Sequence, residues 1–180
     1  HLGIPVPPGF TITTEVCSYY YDNGKNFPDS LDSQLRDALL QTENIMGTKF
    51  GDASDPLLVS IRSGARQSMP GMMETVLNVG LTSKTIPGLI KKTGNERFVY
   101  DAYRRLIMMY ADVVMEKAAG LEPENGPGIR HRLESLIEDH KSKNQYVNDT
   151  DLNGEDWKQL SENFKDEIRN TFGADFPDDP

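Results

Sequence analysis

The sequence predicts an α+β fold: a small mixed or antiparallel sheet with helices, followed by a helical subdomain. Two short apolar runs, Leu57–Ile61 and Val76–Val79, are bounded by turn residues and are too short for helices. Apolar residues recur at helical spacing at Leu31, Leu35, Leu39 and Ile45, again from Glu96 to Lys117, and again beyond residue 128. Residues 118–128 carry five Gly or Pro and read as a linker. The expected division is 1–117, which includes a long helix over 96–117, and 118–180.

Residues 3–9 hold three prolines and two glycines and read as extended or turn chain, and Phe10–Thr13 alternates like a short half-buried strand. Thr14 is a plausible cap for a helix over 15–22, stopped by Asn23-Gly24, with Tyr19, Tyr20 and Tyr21 packing amphipathically. Ser30 opens a second helix that Gly47 stops. Gly80–Asn95, with Pro87 and Lys84, Lys91 and Lys92, reads as a solvated loop. Asn95 caps the long helix, whose stripe is Phe98, Ala102, Leu106, Met109 and Val113, widened by Tyr103, Ile107, Tyr110 and Val114. Arg104 and Arg105 are adjacent, so they point in different directions and at least one should reach solvent or a partner. Ile129, Leu133, Leu136 and Ile137 mark one further helix, and Trp157, Leu160, Phe164, Ile168 and Phe172 mark another, ended by Gly173.

Composition narrows the function classes. The net charge of −9 argues against a nucleic-acid surface, which needs clustered Lys and Arg. A single Cys17 excludes an internal disulfide, and no apolar run approaches membrane-spanning length. No Asp, Glu or His cluster has metal-ligand spacing. His131 and His140 read as surface histidines. The opening His1-Leu2-Gly3 and the closing Pro177-Asp178-Asp179-Pro180 read as a chain cut from something longer.

The stretch from Leu57 to Leu81 is where chemistry concentrates. Between its apolar runs lie Gly64, Gly71 and Pro70, the arginines Arg62 and Arg66, and hydroxyls at Ser63, Ser68 and Thr75. Free backbone N–H groups beside a fixed cation and hydroxyls can hold a phosphate. It is not a Walker A loop, since no lysine follows the last glycine, and no GxGxxG spacing is present. On residue chemistry alone, a structural hairpin with surface arginines is the reading favoured over phosphate binding. The run Met69-Pro70-Gly71-Met72-Met73 suits a surface that repacks against a partner.

The run VSIRSGARQSMPGMMETVLNVGL resembles the most distinctive block of the pyruvate, phosphate dikinase family, in its N-terminal nucleotide-binding domain. Gly3-Ile4-Pro5-Val6-Pro7-Pro8-Gly9-Phe10-Thr11, Lys92-Thr93-Gly94-Asn95 with Arg97-Phe98, and Tyr100-Asp101-Ala102-Tyr103-Arg104-Arg105 resemble further blocks in the family's order. The resemblance is close over the first two-thirds of the chain and weaker over the last third. Phosphoenolpyruvate synthases and other water dikinases are a related alternative, but their loop is usually acidic and lacks the Ser-Met-Pro-Gly-Met-Met run. A non-catalytic helical docking module that uses the Met-rich loop is an alternative of another class.

The resemblance implies the first part of an ATP-grasp-type domain. The family interconverts ATP, phosphate and pyruvate with AMP, diphosphate and phosphoenolpyruvate, using Mg2+ and a phosphohistidine on a mobile domain. Arg62 would bind the nucleotide phosphates, with Ser68, Met69, Pro70, Gly71, Met72, Met73 and Thr75 forming the loop over them. Arg105, with Arg104, would face the docking mobile domain. The carrier histidine and the metal ligands would lie elsewhere, because none of His1, His131 and His140 sits in the family's histidine motif. A lysine-bearing segment that precedes the Pro-rich turn in the family is missing, so the segment alone is expected to be inactive. The resemblance further implies a homodimeric full-length enzyme, in the cytoplasm or, with targeting signals outside this segment, in the chloroplast or a peroxisome-like glycosome.

Overall fold

The computed structural model describes residues 3–64, 74–118, 120 and 126–179, and the chain divides into two units, 1–50 and 51–180. In the first, α1 spans Thr14–Asp22 with Thr13 at its N-cap, and α2 spans Leu31–Met46. Gly47 ends α2 in the left-handed region at φ 70°, its N–H bonding the Glu43 carbonyl at 2.8 Å. Two expectations fail here. Phe10–Thr13 forms no strand: a strand needs a neighbour to take its ladder bonds, and Phe10 and Ile12 are exposed. The tyrosines of α1 are not packed into a core either, for α1 buries none of its residues, and the Tyr20 ring lies against Tyr21 and Phe27, the latter at 4.7 Å between ring centroids.

The second unit opens on a two-stranded antiparallel sheet, β1 (Val59–Arg62) and β2 (Thr75–Val79). Val59 pairs with Val79, Ile61 with Val76 and Arg62 with Thr75, with an irregularity between Val59 and Ile61. The first apolar run was expected as a buried strand. Its buried member, Leu57, precedes β1, and the strand itself is largely exposed, because helices cover only one face of so small a sheet.

Gly80–Asn95 is not a loop. Helix α3 (Ile86–Thr93) lies inside it, with Pro87 in the first turn, Lys91 and Lys92 in the last and Gly94 as a left-handed C-cap. These are ordinary start and stop signals, and the short length hid them. A Cβ on Gly88 would stand 2.1 Å from the Ala53 carbonyl oxygen, so this position needs glycine for the chain to pass.

Helix α4 (Glu96–Tyr110) begins at Asn95, whose side chain accepts from the Phe98 N–H at 2.9 Å. It packs on β2, α3, α5 (Ile129–Asn144) and α6 (Gly154–Phe172), so the part of the chain beyond residue 117 shares its core. The buried face is Val99, Tyr103, Leu106 and Ile107, whereas Phe98 is 55% exposed. The expected stripe was therefore rotated by one residue at its N-terminal end. From Ala111 to Ala118 the helix continues with π geometry, which the apolar spacing did not reveal. Residue Glu116 of this π-helix is buried and accepts the Ile129 N–H on both carboxylate oxygens, at 3.0 and 3.1 Å, capping α5 where Gly128 offers no side chain.

Leu133 and Ile137 of α5 and Trp157, Leu160, Phe164 and Ile168 of α6 fill the core as their spacing predicts. The tail then returns over α4. Phe176 packs edge-on against Tyr103 and Tyr110, and Asp178 accepts from the Ser83 N–H at 2.9 Å and the Tyr103 hydroxyl at 2.8 Å, with Lys165 3.3 Å away. Burial alone would raise the Asp178 carboxyl, but the Ser83 and Tyr103 donors outweigh it and hold the group below its ordinary 3.8. A depressed carboxylate contributes stability that is present above the ordinary value and lost as pH falls through the folded-state value. Asp178→Asn should therefore destabilise at about pH 6, and the difference from wild type should narrow as pH falls below 3.8 in urea unfolding. A difference that stays constant across that range would contradict the assignment.

Candidate functional site

The end of the hairpin at which β1 leads into the connection to β2 holds the sequence-predicted residues as far as they are described. Arg62 is the last residue of β1, stands opposite Thr75 and is exposed. It makes no ion pair among the described residues, so its guanidinium is open to an anion. Ser63 and Glu74 close the next rung. The Ser63 N–H donates to the Glu74 carbonyl at 2.9 Å, and the Glu74 N–H donates to Ser63 Oγ at 2.8 Å. Thr75 is half-buried. Ser68, Met69, Pro70, Gly71, Met72 and Met73 lie outside the described residues.

A line of charge runs from this neck into the helices. Lys117 Nζ donates to Glu74 Oε1 at 2.9 Å and lies 3.3 Å from Asp112 Oδ1, while Arg130 Nε meets Asp112 Oδ2 at 2.9 Å. Asp112 is buried. The Glu74 hydrogen bond leads the contacts that push the Lys117 ammonium above its ordinary value, against the effect of burial, so it stays charged. An open cleft of about 370 Å³ lies alongside, lined by Asp112, Glu116, Lys117, Arg130, His131 and Glu134 with Gly126 and Gly128. Sequence reasoning missed Glu74, Lys117 and Asp112. An acid and a base five residues apart do not face each other on an α-helix, so the sequence offered no signal for this pair.

The adjacent arginines of α4, Arg104 and Arg105, have different fates. Arg104 is buried, lies 4.3 Å over the Trp157 ring, and pairs with Asp101 at 2.8 Å and Asp149 at 3.6 Å. Arg105 is exposed and shares Asp101 at 3.1 Å. His140, read as a surface residue, is mostly enclosed and lies 3.0 Å from Asp156 at the start of α6. Among the described residues no three acidic, His or Cys side chains gather closely enough to hold a metal ion. No helix among them is long and apolar enough to cross a membrane.

No family model matches the chain. Known proteins match it from end to end. The chain is 46% identical over 180 residues to a pyruvate, phosphate dikinase of Clostridium symbiosum, covering 99% of this chain and 19% of that protein. Along its whole length the chain is similar to one segment of the pyruvate, phosphate dikinases. A dikinase of Rhizobium meliloti (strain 1021) is 42% identical over 181 residues, covering all of this chain and 19% of the relative. Pyruvate, phosphate dikinase 1, chloroplastic, of Arabidopsis thaliana is 43% identical over 180 residues, covering 99% and 17% respectively. The chain thus spans about a fifth of the length of these dikinases. The likeness extends through α5 and α6, further than the resemblance read from motifs alone.

Proposed function

We propose that this chain is part of the nucleotide-binding domain of a pyruvate, phosphate dikinase, built on the ATP-grasp plan, and that Arg62 binds the phosphates of ATP. The observation that carries the reading is an exposed arginine, without an ion pair among the described residues, at the end of β1 opposite a threonine and at the root of the Gly- and Met-rich connection. A planar guanidinium there grips two phosphate oxygens and stabilises the charge that spreads over a transferring phosphoryl group. The parent reaction converts ATP, phosphate and pyruvate to AMP, diphosphate and phosphoenolpyruvate through a phosphohistidine on a mobile domain of the same polypeptide. Arg105 is the arginine of α4 exposed to such a domain, since Arg104 is enclosed. The described residues do not fit a magnesium site. The metal that accompanies ATP would be held by other parts of the enzyme, and no step here runs through it.

The test is calorimetric titration of ATP with magnesium into this chain and into a full-length dikinase carrying it. The expected result is binding by the longer protein alone, weakened about tenfold or more by Arg62→Ala, the scale of a lost charge-assisted contact. Unchanged affinity in the Arg62→Ala protein would overturn the assignment.

A further inference from the structure

We infer that Lys117 is a positioning residue for Arg62, tying the neck of the hairpin to the π-helix; the inference rests on the phosphate-binding reading above. Arg62 and Thr75 form the last strand pair, and the Ser63–Glu74 rung beyond them ends the described hairpin. The side chain leaving that rung toward the helices is Glu74, and Lys117 receives it at 2.9 Å. Lys117 is itself held from a second side, 3.3 Å from the buried carboxylate of Asp112, whose other oxygen is fixed by Arg130 at 2.9 Å.

The backbone explains why this triangle exists. Residues five apart stand roughly 140° apart around an α-helix, so Asp112 and Lys117 would diverge. The wider π turn, with its i to i+5 ladder, brings them to one face. The neighbouring Glu116 takes the Ile129 N–H on both oxygens, which anchors the same π-helix to the first residue of α5. The π-helix therefore has one residue gripping the hairpin neck and its neighbour gripping the helical layer. Arg62 needs this support, because a strand end in a two-stranded sheet is weakly restrained and a bidentate contact is lost by small displacements.

Glu74 and Lys117 are 45% and 40% exposed, pairs so exposed contribute little to stability, and the buried Asp112 keeps Arg130 as its partner when Lys117 is removed. A positioning role therefore separates from a structural one. In a full-length dikinase carrying this segment, Lys117→Met should slow the ATP-dependent half-reaction about fivefold, with pyruvate-side exchange and melting temperature unchanged. Lys117→Arg should retain the rate, and Glu74→Gln combined with Lys117→Met should be no worse than either change alone. Arg62→Ala serves as the reference. If it leaves the ATP half-reaction intact, the phosphate reading falls and this inference with it. If it slows that half-reaction while Lys117→Met does not, or Lys117→Met lowers both half-reactions together with the melting temperature, only the positioning role is overturned.

Discussion

Trp157→Ala should destabilise the 51–180 unit by about 3–5 kcal/mol, the range for deleting a large aromatic from a packed core. Trp157 is wholly buried near the start of α6, and the Arg104 guanidinium of α4 lies over its ring at 4.3 Å. Removing the ring opens a cavity at the α4–α6 junction and takes away the surface on which the buried guanidinium stacks. Arg104 keeps its Asp101 and Asp149 partners, so its charge is not stranded. The indole N–H is buried with no acceptor among the described residues, which makes Trp157→Phe the informative companion. Phe removes an unsatisfied donor while filling most of the volume, so its cost should be only about 1 kcal/mol. Urea unfolding of the three proteins decides the matter, and an Ala variant as stable as the Phe variant would show that this ring is not the keystone of the junction.

The helical half was legible because its elements are long and their burial is one-sided. Trp157, Leu160, Phe164 and Ile168 repeat at helical spacing, with Gly173 after them, and all four are buried in the structure. Asn95 and Gly47 were equally plain, since a cap side chain or a left-handed glycine leaves its mark at one position. Helix α3 was lost because eight residues hold two apolar turns and two lysines, too little periodicity to outweigh Pro87 and the flanking glycines. The π-helix was invisible for a different reason: its consequence is a side-chain pair at a spacing no α-helical rule examines. At the candidate site, Arg62 and Thr75 were readable from residue type and strand ends. Glu74 and Lys117 were not, because their meeting depends on how the π turn places residue 117 against the hairpin neck. Arg104 and Arg105 show the limit of adjacency: the sequence says that they diverge, and only packing says which one the core encloses.

In a full-length dikinase carrying this segment, Arg62→Lys should slow phosphoryl transfer from ATP by about 10²-fold, the loss expected when one fixed donor to a developing charge is removed. The substitution keeps the positive charge, so a site that needed only electrostatic attraction would tolerate it. A lysine ammonium is a mobile point charge on a flexible stem and cannot present two parallel N–H groups to a phosphate. Arg62 makes no ion pair among the described residues and is exposed, so the exchange should alter stability by no more than about 0.5 kcal/mol. On the proposed function, exchange between pyruvate and phosphoenolpyruvate on a phosphorylated mobile domain would not use the hairpin and should survive. The contrast between the two half-reactions is the readout. Loss confined to the ATP side assigns the planar fork to phosphate, whereas equal loss on both sides with a lowered melting temperature would assign Arg62 to folding and remove the phosphate role.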